Sequence, residues 1–206
     1  MGQTIGPIEG GVKRDLDRAH DCATICPMKQ LALILVCLAT PALAECPAPP
    51  DHDVAIARLI EQLRDAPDEA SAAPLNASLW ELWTDAPDAA AQDVLDAGMR
   101  RRANYDFTGA LGQFDRLIEY CPDYAEGYNQ RAFVSFLRQD YPAALTDLDA
   151  ALELSPTHVG ALSGKALTLM GMGRTDEGQD VLRQALGLNP WLAERAMLIP
   201  RPGEKL

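Results

Sequence analysis

Asp51-His52-Asp53 is the one place in the chain where an imidazole sits between two carboxylates, the groups that ligate a divalent metal or pass a proton. Their adjacency at the start of a predicted helix points instead to a solvated acidic turn and an N-cap. His158 follows Pro156-Thr157 at another predicted helix start and is expected to be exposed or capping. Cys22 and Cys26 form a C-x3-C pair with no further ligands nearby, which is weak evidence for metal. Cys46 and Cys121 are solitary, and whether they pair is a question of geometry that sequence leaves open. There is no C-x-x-C-H, no glycine-rich phosphate loop and no G-x-S-x-G. Asp147 and Asp149 fall on different helix faces. No catalytic residue, metal site or cofactor is therefore predicted, and the chain is read as a non-enzyme. A small hydrolase or metal-binding protein centred on His52 is the remotest alternative.

Whatever the chain does must come from the elements that would carry such residues. Its 206 residues are 48% apolar and 23% charged, ordinary globular usage. Thirty acidic residues against 18 basic ones give a net charge of −12. That surface repels phosphate backbones, which nucleic-acid proteins hold mainly through Lys and Arg, so no nucleic-acid partner is expected.

Met28-Lys29-Gln30, the apolar run Leu31–Ala39 and the small-x-small ending Ala42-Leu43-Ala44 are the three parts of a secretory signal peptide. The run is too short to span a bilayer, which takes about 20 residues. Residues 28–44 are thus predicted to be a leader cleaved near Ala44, and the product to be exported, to a periplasm. Glu45 ahead of Cys46 disfavours lipidation of that cysteine, although peripheral association with the envelope is compatible with the sequence. Residues 1–27 carry Asp15, Asp17 and Asp21 and no sustained apolar period, so they are expected to be a spurious or disordered extension ahead of a start at Met28. Residues 1–44 hold four basic and four acidic groups, and the remainder keeps the full −12.

A repeat dominates that remainder. Pro122, Pro156 and Pro190 are 34 residues apart, and each closes a segment in which Tyr105–Leu117, Gln139–Ala151 and Gly173–Ala185 align. Ahead of these lie apolar helices whose small residue recurs at Gly98, Ala132 and Ala166. Ala110-x3-Phe114, Ala144-x3-Leu148 and Gly178-x3-Leu182 repeat the same pattern in the following helices. In these motifs residues 88–190 resemble three tetratricopeptide (TPR) repeats, each a helix–turn–helix of 34 residues. Arg101 and Ser135 depart from the usual bulky apolar residue, and Gly178 from the usual alanine.

The resemblance implies an all-α, right-handed α-solenoid of about three units with flanking capping helices. Stacking is needed because no single hairpin can bury its own apolar face. Asp106, Asp140 and Thr175 are placed to cap the second helices, Asp123 with Glu126 to form a capping box, and Asn189-Pro190 to start a final helix reaching about Leu198. Residues 45–87, with Ile56, Leu59, Ile60 and Leu63 at helical spacing and Leu75, Leu79, Leu82 and Trp83 in a second helix after Pro74, read as an N-terminal cap or degenerate repeat. Residues 191–206 read as a C-terminal capping helix and tail.

The resemblance further implies a concave groove lined by the first helices, where a protein or peptide partner is held. Spacing offers Gln92, Met99 and Arg102 from the first unit, Asn129, Phe133 and Phe136 from the second, and Ser163, Leu167 and Met170 from the third. The expected function is an exported TPR scaffold or adaptor. The alternative is an envelope component whose repeats associate with one another. The sequence fixes neither the oligomeric state nor the identity of the partner.

Overall fold

Eight α-helices and one 3-10 segment, with no strand, make up residues 45–201, the part of the chain that the computed structural model describes. The predicted leader, its cleavage point, the extension before it and residues 202–206 lie outside the described residues. The helices are α1 (Asp53–Asp65), α2 (Glu69–Trp83), α3 (Ala89–Ala103), α4 (Phe107–Tyr120), α5 (Ala125–Leu137), α6 (Tyr141–Leu154), α7 (Val159–Gly171) and α8 (Thr175–Leu188). The 3-10 segment is Ala193–Met197.

Helices α3–α4, α5–α6 and α7–α8 are three hairpins stacked side by side, so the all-helical solenoid expected from the 34-residue period is the observed fold. Along the stack α3 packs on α5 and α5 on α7, whereas α4, α6 and α8 stand further from one another. The first helices of the pairs therefore line the inner side of the curve.

The small residues permit close approach within each pair. Ala110, Ala132, Ala144, Ala151, Ala161 and Ala166 are fully buried. A Cβ on Gly98 would lie 2.4 Å from the ring of Phe114, itself fully buried. Gly178 departs from alanine for the same reason, since its Cβ would meet the Ala166 carbonyl at 2.8 Å and Met170 at 2.6 Å. Gly98→Ala is accordingly expected to destabilise the fold by about 1–3 kcal/mol through overpacking, with much of the loss restored by Phe114→Leu. A chemical-denaturation cycle of the two single variants and the double checks this.

The turn inside each repeat also recurs at 34 residues. Tyr105, Gln139 and Gly173 all take the left-handed conformation, with φ of 61°, 63° and 78°. The next residue's N–H then reaches five back, to Arg101, Ser135 and Leu169 respectively. Only the third unit uses glycine for this strained position. Asp106 and Asp140 cap α4 and α6 through the N–H groups of Gly109 and Ala143, as expected. The Gly109 N–H, followed by the Arg101 guanidinium, holds the Asp106 carboxyl below the ordinary range. The N-cap of α8 is Arg174, with Thr175 already helical.

Elsewhere three local expectations give way. Helix α2 begins at Glu69 rather than after Pro74, because Asp68 caps the Ser71 N–H and starts it earlier. Pro74 sits inside it and removes the donor for one backbone bond. Asp123 and Glu126 form no capping box: the N-cap of α5 is Tyr124, without a side-chain bond, and Glu126 is turned inward. Asn189 is the C-cap of α8, not the start of a new helix. Its buried amide accepts the Trp191 N–H and donates to Asn76, and the chain turns into the 3-10 segment.

Helices α1 and α2 form a hairpin with its own apolar core of Ile56, Ile60, Leu63, Ala72 and Leu79. Beyond itself the hairpin packs on α8, with Leu188 and Trp191 joining that core. Cys46 and Cys121 are joined in a disulfide that ties the segment before α1 to the C-cap of α4. The same sulfur cannot also carry a lipid thioether.

Candidate functional site: a roofed concave wall

Six of the nine groove residues named from spacing come together around one cavity of about 220 Å³ on the inner side of the solenoid. Phe133 and Phe136 of α5 and Leu167 of α7 make its apolar wall, and Arg102, Asn129 and Ser163 its polar margin. The other three do not take part. Gln92 is spent on the Ala86 N–H and on Asp96. Met99 packs into the core of the first repeat, and Met170 lies against Gln179 in the α7–α8 seam. Helical spacing gives core and groove the same period, so it could not separate them.

Phe133 stays 45% exposed although it lies in this wall, with the Arg102 guanidinium 4.7 Å from its ring centre. Beneath them runs a buried polar network. Glu126, 1% exposed, accepts from Asn129 Nδ2 at 2.9 Å and from Gln130 Nε2, while Gln130 accepts from Arg102. The His158 Nε2 lies 2.9 Å from Glu126 Oε2. Its Nδ1 accepts the Ala161 N–H at 3.1 Å, so that nitrogen carries no proton and Nε2–H donates to the carboxylate. His158 is thus a cap, as one of its expected roles had it, but a fully buried one that joins α5 to the start of α7. Burial lowers the Arg102 guanidinium from its ordinary value, and Glu126 pulls it back up.

The wall is not open. Trp80 of α2 and Glu194 of the 3-10 segment complete the cavity from the far side. Trp83, the last residue of α2, stacks on His158 with ring centres 4.3 Å apart, and the Tyr124 hydroxyl donates to its carbonyl at 2.8 Å. That phenol is pushed well above the ordinary tyrosine range, by burial first and then by Glu126. None of Trp80, Glu126, Gln130, His158 and Glu194 was legible as a site residue. Trp80 and Glu194 arrive from flanking elements outside the repeat period, Glu126 and His158 read as capping residues, and Gln130 carries no local signal. The wall holds no nucleophile–base pair; Asn129 and Gln130 are spent on Glu126 and Ser163 on the Gly160 carbonyl, whereas the buried Thr168 hydroxyl has no partner.

His52, the other candidate, pairs with Asp85 at 2.8 Å, away from this cavity. Among the described residues no group of three or more His, Cys, Asp and Glu could hold a metal ion.

No family model matches the chain. By sequence it is 30% identical over 119 residues to a TPR repeat-containing protein of Rhizobium etli, covering 56% of this chain and 57% of that one. It is 44% identical over 69 residues to the tetratricopeptide repeat protein 36 homolog of Nematostella vectensis, covering 34% of this chain and 38% of the other. The chain therefore spans 57% of the length of the first of these relatives and 38% of the second. Among solved structures, the first TPR of Spaghetti (RPAP3), bound to the HSP90 peptide SRMEEVD, superposes with a TM-score of 0.51. That superposition covers 52% of this chain and 85% of the other at 17% identity, a likeness of fold. The repeats are thus similar in sequence to tetratricopeptide repeat proteins and in fold to a tetratricopeptide domain.

Proposed function

We propose that this tetratricopeptide-repeat chain is a non-catalytic protein-interaction module that takes an apolar side chain of a peptide or protein partner against Phe133, Phe136 and Leu167. The observation that carries the reading is the exposure of Phe133 inside a concave wall whose Asn129, Gln130 and Ser163 are already hydrogen-bonded within the chain. Such a surface gains by covering its apolar area. The solved neighbour holding SRMEEVD shows that this fold can seat a short peptide in that protein. Here a net charge of −12 favours a neutral or basic partner over another acidic one, by long-range steering. We further propose that the module works outside the reducing cytosol. The predicted leader supports this, and so does the Cys46–Cys121 disulfide just downstream of it.

Selection of a random peptide library on the chain beginning at Glu45 tests the site. Enriched peptides are expected to share an aromatic or large aliphatic anchor and to lose at least tenfold in affinity on Phe133→Glu, with helicity by circular dichroism unchanged. Peptides that bind the variant as well as the parent would show that the wall is not the site.

A further inference from the structure

We infer that the α1–α2 hairpin is an autoinhibitory strap, tethered at both ends beside the first repeat, latched at its tip to the last, and obliged to swing away before a partner engages the α5–α7 wall. The inference rests on the reading of that wall as the partner site and adds its regulation. One tether is the Cys46–Cys121 disulfide at the end of α4, and the other is the chain itself, which runs from Trp83 into α3. The tip reaches the opposite end of the solenoid. Arg64 Nε donates to the Gly187 carbonyl at 2.8 Å, Trp191 Nε1 to the Leu63 carbonyl at 2.9 Å, and Arg195 pairs with Glu69 at 2.9 Å. A strap fixed at one side and clasped at the other can open as a unit.

Three features mark the clasp as weak where it covers the wall. Apart from α8, no helix of the repeats packs extensively on α1 or α2, so the roof over α5 and α7 is carried by side chains. Trp80 reaches over the cavity yet stays 41% exposed. The Trp83 indole N–H is buried against His158 with no acceptor. An unsatisfied buried donor penalises the closed state, and opening returns it to water. The latch bonds of Arg64 and Arg195 face solvent, where each contributes little. Local opening of such an element precedes global unfolding.

Hydrogen exchange read by mass spectrometry, on the chain from Glu45 and on its Arg64→Ala/Trp191→Phe variant, tests the strap. In the parent, α1–α2 amides are expected to exchange together, at least tenfold faster than α3–α6. In the variant they speed a further tenfold while α3–α6 are unchanged. Library selection is run on both proteins, and a fluorescein-labelled copy of a Phe133-dependent peptide is expected to bind the variant at least tenfold more tightly. Equal or weaker binding to the variant overturns the inhibitory role and leaves the wall as the site. Exchange of α1–α2 no faster than that of the repeats makes the hairpin a fixed part of the fold and overturns the strap. Failure to select any Phe133-dependent peptide on the unlatched variant removes the partner site itself, and inhibition with it.

Discussion

Replacing Cys46 and Cys121 together by serine is expected to cost about 4 kcal/mol of unfolding free energy. The two residues are 75 apart in sequence, so the bridge closes a long loop that contains all of α1, α2, α3 and α4. In the chain-entropy account a closure of that length removes roughly 4 kcal/mol of freedom from the unfolded state. The native geometry does not oppose the bond, since the Cα atoms lie 5.2 Å apart, inside the usual range for a disulfide. At roughly 2–4 °C per kcal/mol for a domain of this size, the thermal midpoint should fall by about 10 °C. A strong reductant added to the parent should reproduce the shift, and the serine variant should be indifferent to it. Thermal unfolding followed by circular dichroism reads both. A midpoint that moves by less than about 2 °C, at most about 1 kcal/mol, would mean that the closed loop is already ordered in the unfolded chain.

What the sequence made legible, and what it hid, follows from how far each signal reaches. The repeats were readable because their rules are local and copied three times. A small residue at Gly98, Ala132 and Ala166 and an aspartate before α4 and α6 each act within one hairpin, and a period of 34 makes chance agreement improbable. The α1–α2 hairpin was legible as helices, from the spacing of Ile56, Ile60 and Leu63. Its location was not. Nothing in an amphipathic helix says which distant surface it will cover, and the contacts that place it join residues such as Arg64 and Gly187, 123 apart. The same holds for Glu126. Three residues after Asp123 it carries the signature of a capping box, and only the arrival of His158, 32 residues later, turns it into the centre of a buried network. Polar residues with long-range partners are where local pattern reading fails, and here they lie beneath the inner wall.

That network supplies the second large effect. Glu126→Ala is expected to destabilise the fold by about 3–5 kcal/mol, the usual cost of removing one partner from a buried charged cluster. Three donors now aim at its carboxylate: Asn129 Nδ2, Gln130 Nε2 and His158 Nε2. Removing it strands them away from water, and each stranded group costs on the order of 1–3 kcal/mol. The Arg102 guanidinium, held through Gln130, loses its nearest buried counter-charge at the same time. Glu126→Gln should cost less than the alanine variant but more than a surface substitution, because its amide nitrogen must face at least one of those donors. His158→Ala alone removes a donor, the cap of α7 and the stacking surface for Trp83. If Glu126 and His158 act through one hydrogen bond, the double variant will cost less than the sum of the two singles by at least about 0.5 kcal/mol, the scale of coupling between contacting residues. Urea denaturation of the four proteins gives that coupling directly. Strict additivity would mean that His158 is held by Trp83 and the Ala161 N–H alone. The carboxylate would then serve α5 only.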